Sequence, residues 1–456
     1  MLHPPARSRD CLMVARAAKA LAMTAPSLPR HPLHFPNFRA YLVGRCAAVL
    51  AQYGMMIVLG WQAYNIARET MTTSGAAAQL GLIGLAQFLP LFFLTPVTGW
   101  VADHYDRRMI SRTTLAALTL AAGLLAFATY EDWVSLPLIF GIAVVVGIAR
   151  AFNGPAYGAL APNLVPPAVL PNAIAISAVV WQAGSIVGPA LGGYAYAATP
   201  WGAYALAALL YAVAFGAMML IGPVPQPARD RTRHPIRQMI DGLHYVRTNR
   251  LVLATITLDL FAVLLAGATA LLPVYARDIL QVGSTGLGHL AAAPGIGAGL
   301  VALWFSIRPM KREVGLKMLA AVMIFGLATI VFGCTAFLPR SFAMEVGLGA
   351  LVVLGAADMV SVFVRQSLVQ LHTPDAMRGR VSSLSQLTIS ASNELGEAES
   401  GFLAALVGPV VAVIGGGIGA IVITLFWARL FPELRLARTF DPPDIRAADH
   451  SQEKAP

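Results

Sequence analysis

The chain has 456 residues, of which 57% are hydrophobic and only 12% are charged. Soluble domains average about 45–50% apolar and about 25% charged residues, so this composition excludes a soluble globular fold. The formal charge of +10 accompanies no basic helix with interleaved aromatic residues, zinc finger or RNA-binding signature, so we expect no nucleic-acid partner and assign the excess to one face of a lipid bilayer.

Twelve apolar stretches follow one another along the chain. Each is long enough to cross a hydrocarbon core of about 30 Å, which needs about 20 helical residues. The predicted spans are 40–67, 78–101, 109–129, 136–158, 172–198, 201–222, 251–276, 284–307, 314–337, 342–366, 383–406 and 408–430. The sequence therefore predicts an all-α membrane protein with twelve transmembrane helices.

The spans fall into two groups of six. We assign residues 1–38 to a disordered cytoplasmic tail, 39–222 to an N-terminal six-helix bundle, 223–250 to a cytoplasmic linker, 251–430 to a C-terminal six-helix bundle and 431–456 to a second cytoplasmic tail. Lysine and arginine concentrate in the tails, in the linker and in the connections of the same side. This bias predicts that both termini lie in the cytoplasm.

A first motif follows the second span and reads Gly99-Trp-Val-Ala-Asp103-His-Tyr-Asp106-Arg107-Arg108. Asp103 stands beside a helix terminus and near Arg107, where it can make charge-assisted hydrogen bonds while the two halves are closed together on that side. We therefore predict a state-dependent latch that involves Gly99, Asp103, Arg107 and Arg108. The alternative is a plain basic loop on the cytoplasmic side.

A second motif lies in the fifth span and reads Gly184-Ser-Ile-Val-Gly188-Pro189-Ala-Leu-Gly192-Gly193. Small residues at this spacing let neighbouring helix backbones approach closely, and Pro189 weakens one helical turn and permits bending. Ordinary helix packing is the alternative interpretation of the glycines.

These two stretches resemble motifs A and C of the major facilitator superfamily, and the end of the fourth span, Arg150-Ala-Phe-Asn153-Gly154-Pro155-Ala156, is similar to its motif B. With Gly60-Trp61-Gln62-Ala-Tyr64 and Arg378-Gly379-Arg380-Val381, they resemble the bacterial branch that contains the enterobactin exporter and macrolide efflux proteins. The resemblance implies two pseudo-symmetric six-helix bundles around a cavity lined by the first, fourth, seventh and tenth spans. It also implies export, because motif C is associated with exporters in that family.

Charged residues inside the spans are functional candidates because each costs at least about 2.5–3.5 kcal/mol to insert. Arg150, Asp259 and Asp358 lie eight or nine residues from the cytoplasmic ends of their predicted spans, which places them at nearly one depth. We expect Asp259 and Asp358 to face Arg150 across the cavity, so that protonation of a carboxylate releases the attraction. Static interhelical pairs, or side chains that snorkel near the membrane interface, are the alternative.

The eleventh span carries Glu394 and Glu397 on one helical face. This face is expected to meet the second span, where Gln87 is available. We assign both glutamates to proton coupling, with a gated hydrogen-bond network between the halves as the alternative.

The first span has no acid in its middle, which reads Ala51-Gln52-Tyr53-Gly54. Together with Asn153 and Trp181, Gln52 and Tyr53 are candidates to contact an aromatic or amphipathic substrate by stacking and hydrogen bonding.

The sequence thus predicts a proton-coupled exporter of a small amphipathic molecule, siderophore-like or drug-like, that works by alternating access as a monomer in the bacterial inner membrane. An importer or facilitator is the rival within transport, and a non-transporting sensor on a transporter frame is the rival from another class. An enzyme is not expected, because the sequence has no nucleophile–base arrangement, Walker loop or soluble catalytic domain. Three cysteines and nine scattered histidines lack ligand spacing, so we expect neither a metal site nor a cofactor.

Overall fold

A computed structural model of the chain describes residues 31–158, 160–223 and 235–441. The described residues form helices joined by short connections, and no strand occurs among them. The predicted all-α class is confirmed.

The first half contains six long helices. They are α1 (Pro36–Thr70), α2 (Thr73–His104), α3 (Arg107–Tyr130), α4 (Leu136–Gly158), α5 (Leu170–Ala198) and α6 (Pro200–Met219). Local chemistry sets several of their starts. The hydroxyl of Thr72 accepts a hydrogen bond from the Gly75 amide at the start of α2, and the Asp106 carboxylate accepts one from the Arg108 amide at the start of α3.

The second half is preceded by a shorter helix and again contains six long segments. The helices are α7 (Pro235–Thr248), α8 (Arg250–Leu265), α9 (Gly283–Ile307), α10 (Val314–Cys334), α11 (Arg340–Leu371), α12 (Asp375–Val407) and α13 (Pro409–Leu430), followed by the short α14 (Pro432–Arg435). The seventh span continues beyond α8 through a 3₁₀ turn at Ala268–Leu271 and a π turn at Tyr275–Ile279.

Eleven of the described helices are long and apolar enough to cross a membrane, by length and composition. The remaining long helix is α12, whose middle carries Glu394, Glu397 and Glu399. These three glutamates make the middle of α12 less apolar than the middle of the other spans. Its length and its packing between α2 and α8 still make it the eleventh span of a twelve-helix fold, as predicted.

The boundaries of the predicted regions differ in detail from the helices. Helix α1 begins at Pro36, inside the segment assigned to the first tail, and α7 occupies much of the segment assigned to the linker. Residues 1–30, 224–234 and 442–456 lie outside the described part of the chain. The division into two bundles and two tails stays a prediction.

The hydrophobic cores show how the halves meet. One core lies within residues 38–221 and another within 254–437, whereas a third combines Trp61, Tyr64 and Ala67 of α1 with Leu271 and Tyr275 of the second half. We call the side where α1 begins and α13 ends the terminus side, and the opposite side the far side. The shared core lies on the far side.

Glycines permit this close approach. A Cβ atom on Gly81 of α2 would stand 2.8 Å from the Ala398 carbonyl oxygen of α12, and one on Gly193 of α5 would stand 2.4 Å from the Ser284 carbonyl oxygen of α9. Larger side chains would separate the backbones. The two halves are therefore held together on the far side through helix pairs α2–α12 and α5–α9.

Candidate functional site

A buried ion pair joins the two halves near the middle of the bundle. Nη1 of Arg150 on α4 lies 2.7 Å from Oε1 of Glu394 on α12, and it also donates to Oε1 of Gln87 on α2 at 3.3 Å. The Glu394 side chain is only 3% exposed. A charge this deeply buried is costly unless it is paired, so the contact depends on the present arrangement of the halves.

A second carboxylate lies one turn along α12. Glu397 is within electrostatic reach of both Arg150 and Glu394, and its Cβ lies 3.1 Å from where a side chain on Gly84 would begin. Oε2 of Glu394 has no hydrogen-bond partner among the described residues. One arginine thus lies near two carboxylates at the surface where α2 and α12 meet, and it forms an ion pair with Glu394. The sequence predicted this shared face and its proximity to Gln87.

The expected partners of Arg150 were wrong. Asp259 does not face Arg150, because it forms a buried ion pair with Arg365 of α11 inside the second half. The cause is the length of α11, which continues to Leu371 and carries Arg365 into the protein interior. The predicted span ended at 366, so it left Arg365 at the membrane surface and hid this partner.

Asp358 also departs from the expected geometry. It lies thirteen residues from the end of α11 rather than eight, about 20 Å in, so it is not level with Arg150. With Asp259, Phe325 and Ser361, it lines a cavity of about 220 Å³ within the second half. Asp358 forms no ion pair within the described part of the chain.

The structure brings together only some of the predicted substrate-binding residues. A cavity of about 340 Å³, including its open mouth, is lined by Gln52, Gln87, Arg150 and Tyr211 together with apolar side chains of α1 and α4. The rings of Tyr53 and Trp181 meet edge to face at 5.8 Å. Asn153 is engaged elsewhere, because its Oδ1 accepts a hydrogen bond from Thr114 of α3 at 3.3 Å.

Motif A is described only in part: Gly99 lies within α2, but the side chain of Asp103 is outside the part of the chain that the structure describes. Arg107 is buried. Arg108 binds within its own half, where Nη2 lies 2.5 Å from Oδ2 of Asp106 and Nη1 donates to the Ile221 carbonyl at 3.3 Å. The Arg108 hydrogen bonds hold the pKa of Asp106 below its usual range, with burial opposing them. The latch assigned to motif A stays a prediction.

Motif C packs against both neighbours of α5. A side chain on Gly184, Gly188 or Gly192 would collide with α1, at Val49, Tyr53 and Gly54 respectively. Gly193 faces α9 instead, and Pro189 is buried inside the helix. The motif therefore fixes α5 between α1 of its own half and α9 of the other.

A polar cluster on the far side was missed by the sequence reasoning. Oδ2 of Asp278 accepts hydrogen bonds from the Tyr64 hydroxyl at 2.5 Å, from Nε of Arg68 at 3.0 Å and from the Thr73 hydroxyl at 3.4 Å. Arg277 adds a hydrogen bond from Nη1 to the Asn65 carbonyl at 3.2 Å. The sequence did contain a signal, because Asp278 follows the predicted seventh span and Arg68 follows the predicted first span, both on the far side. Asp278 thus ties the second half to both α1 and α2.

Comparison with known sequences identifies the family. The model of the Major Facilitator Superfamily matches residues 46–397. Enterobactin exporter EntS of Escherichia coli O1:K1 / APEC is 28% identical over 227 residues, which are 50% of this chain and 52% of the relative, and EntS of Shigella boydii serotype 18 matches to the same extent. The chain thus matches about half the length of these curated relatives.

Comparison with solved structures agrees on the fold. A POT family transporter in complex with 5-aminolevulinic acid superimposes with a TM-score of 0.67 at 14% identity, covering 88% of this chain and 97% of that one. The xylose transporter XylE from E. coli, in an inward open conformation, gives 0.64 at 13% identity and the same coverage. These relatives and fold neighbours are transporters rather than enzymes. The chain is an integral membrane protein and belongs to the major facilitator superfamily.

Proposed function

We propose that the chain is a proton-coupled exporter of a small amphipathic molecule, siderophore-like or drug-like. Three features support this proposal: the similarity to enterobactin exporters, the complete motif C, and the buried Arg150–Glu394 pair between the halves. The distribution of basic residues favours both termini in the cytoplasm. We further propose that the protein acts as a monomer in the bacterial inner membrane.

The Arg150–Glu394 pair is the main support for proton coupling. A carboxylate that accepts a proton no longer attracts the guanidinium, so protonation removes the main reason for α4 and α12 to stay together at this depth. Glu397 offers a second carboxylate at the same surface. Proton binding and separation of the halves are therefore linked, and each shifts the equilibrium of the other.

The far-side cluster supplies the opposing conformation-dependent contact. Asp278 holds α1 and α2 only while the far side is closed, so a cycle must break this cluster when the substrate leaves. In the proposed cycle, protons enter from the far side and replace Arg150 at the α12 carboxylates. Asp259 and Asp358 remain proposed contributors, although their contacts lie within the second half.

The proposal is tested in everted membrane vesicles that contain the full chain, with labelled enterobactin and the dye Hoechst 33342 as separate probes. We expect at least one probe to accumulate when the vesicle interior is acidified, and a protonophore to abolish accumulation. The Glu394→Gln variant should lose gradient-driven accumulation and keep exchange of labelled for unlabelled probe. The matched control is Glu433→Gln, which removes an exposed ion pair with Arg250 inside the second half.

Three results would contradict the proposal. Accumulation by the unmodified chain that ignores the protonophore would exclude proton coupling. Gradient-driven accumulation at the native rate by Glu394→Gln would remove the Arg150–Glu394 pair from the mechanism. Movement of the probe only toward the cytoplasmic side would instead favour an importer.

A further inference from the structure

A second arginine lies inside the first half, away from the coupling pair. Arg45 is the tenth residue of α1, about 14 Å along the helix from its start, and it is half-buried. Its Nη1 donates to the Tyr41 hydroxyl at 3.2 Å, and its guanidinium carbon lies 5.5 Å from the centre of the Trp181 ring. Its buried Nε has no hydrogen-bond partner among the described residues.

In the described part of the first half, Arg45 forms no ion pair with a carboxylate. The acids between residues 36 and 219 are Glu69, Asp103, Asp106, Glu131 and Asp132, and all of them stand at or close to helix ends. The interior of the first half therefore carries positive charge without an internal counter-charge. Arg150 obtains its counter-charge from α12, whereas the described part of the chain gives Arg45 no ion pair.

Two buried hydroxyls lie beside the Arg45–Tyr41 pair. Ser177 of α5 is 7% exposed and lies beside the Tyr41 hydroxyl, and Tyr157 of α4 is 5% exposed and its hydroxyl has no hydrogen-bond partner among the described residues. The Tyr157 hydroxyl lies 2.9 Å from where a Cβ on Gly44 would stand, and the Tyr157 ring packs at 5.2 Å on that of Tyr41. Buried donors are rarely left unpaired in native proteins, so this group of donors calls for an acceptor.

This group of residues adjoins an open face of α5. One stripe of α5 contacts α1 through Gly184 and Gly188, and another contacts α9 through Gln182, whose Nε2 donates to the Gly295 carbonyl at 2.8 Å. On the arc between the two stripes, Ala178 and Trp181 are exposed. Because α1 belongs to the first half and α9 to the second, the part of α5 between these two contacts faces the space between the halves. Trp181 therefore borders that space on the terminus side.

Aromatic residues connect this region with the Arg150–Glu394 pair. The Trp181 ring meets Tyr53, and Tyr53 lies within electrostatic reach of Arg150. Tyr157, which packs beside Gly44, is seven residues beyond Arg150 on α4, about 10 Å nearer the terminus side. Arg45 and Arg150 are therefore two cationic positions at different depths, connected by two aromatic rings.

We infer that Arg45, with the hydroxyls of Ser177 and Tyr157 and the ring of Trp181, binds the anionic group and the ring of an aromatic carboxylate or phenolate before it reaches Arg150. The inference rests on the proposed function and names its substrate class: amphipathic aromatic anions. A guanidinium presents several N–H donors to a carboxylate, and an indole offers a flat apolar surface to the attached ring.

The test compares two probes of the same shape, 2-naphthoate and its uncharged analogue 2-naphthamide. Binding to the full chain in phosphatidylcholine nanodiscs is measured by equilibrium dialysis, without any proton gradient. We expect the chain to prefer naphthoate by about tenfold or more, which is the ratio that about 1.4 kcal/mol produces. Arg45→Gln should abolish the preference, and Arg45→Lys should keep part of it.

Further variants keep the test informative if Arg45→Gln does not fold. Ser177→Ala should lower the preference several-fold, whereas Trp181→Ala should weaken both probes alike. The matched control is Arg429→Gln, an exposed arginine at the end of α13.

Equal binding of the two probes by the unmodified chain would overturn the inference, and so would an unchanged preference in a folded Arg45→Gln variant. Binding is measured apart from transport. A chain that prefers naphthoate but shows no gradient-driven accumulation would therefore overturn the proposed function and leave the anion site intact.

Discussion

Asp278 offers the most direct test of how the far side is held closed. Its carboxylate oxygen accepts hydrogen bonds from Tyr64 and from Arg68, at 2.5 and 3.0 Å. A hydrogen bond to a charged group contributes about 1.5–3 kcal/mol. Asp278→Asn keeps the size and one acceptor oxygen but removes the charge from both bonds.

The size of the effect follows from the exposure of the pair. The side chains of Arg68 and Asp278 are 27% and 22% exposed, so water screens part of the interaction and the low end of the range applies. Each of the two bonds should fall from about 1.5 to about 0.5 kcal/mol when the carboxylate charge is removed. The total loss of about 2 kcal/mol lowers the ratio of far-side-closed to far-side-open molecules about 30-fold.

Distances between spin labels measure this ratio. Glu69 at the end of α1 and Ser341 at the start of α11 are exposed on the far side, and labels on cysteines at these positions report the separation of the halves. The background chain has its three native cysteines replaced by alanine. We expect a longer-distance population to grow in the Asp278→Asn variant, and we expect no change in Glu433→Gln.

An unchanged distance distribution in a folded Asp278→Asn variant would refute the reasoning. It would mean that the shared apolar core and the glycine contacts close the far side without help from the charge. The same result with a lowered unfolding temperature would assign Asp278 to stability alone.

Three further predictions concern packing and charge. Arg365→Met should destabilise the protein by about 3–5 kcal/mol because it leaves Asp259 buried and unpaired, and adding Asp259→Leu should restore most of the unfolding temperature. Gly193→Ala should raise the far-side-open population in the spin-label assay, because its Cβ would stand 2.4 Å from a carbonyl oxygen of α9. Asp106→Ala should cost about 1 kcal/mol at pH 7 through loss of the helix cap. Because Arg108 lowers the pKa of Asp106, that difference should be constant above the ordinary aspartate pKa near 3.8. It should shrink as pH falls through the lowered pKa of the folded protein, as followed by thermal unfolding.

The helices were predictable because a bilayer imposes a minimum apolar length on every span. Even α12, which is less apolar than the other spans, was recognised, since its glutamates are flanked by apolar residues. The interruption after α8 was not predicted. Gly267 and Pro273 are its local signals. The close approach of Gly267 to α12, where a Cβ would stand 2.5 Å from the Gly396 carbonyl oxygen, has no local signal.

The site was predictable only where one helix determined it. Helical spacing placed Glu394 and Glu397 on one face, but it did not determine which cation that face would meet. The rotation of each helix about its axis decides such pairings, and the packing of the whole bundle sets that rotation. Arg365 and Asp278 were therefore missed, although both were visible as charges near span ends.

The three glutamates of α12 also bear on how the protein is made. On insertion scales each acidic side chain near the centre of a span costs about 2.5–3.5 kcal/mol, so an isolated α12 would leave the translocon for the bilayer only reluctantly. Its charge partner Arg150 and its packing partner α2 are both synthesised earlier in the chain. Biogenesis therefore favours an order in which α12 packs against a first half that is already folded. Substitution of Arg150 would reduce the amount of assembled protein as well as its proton coupling.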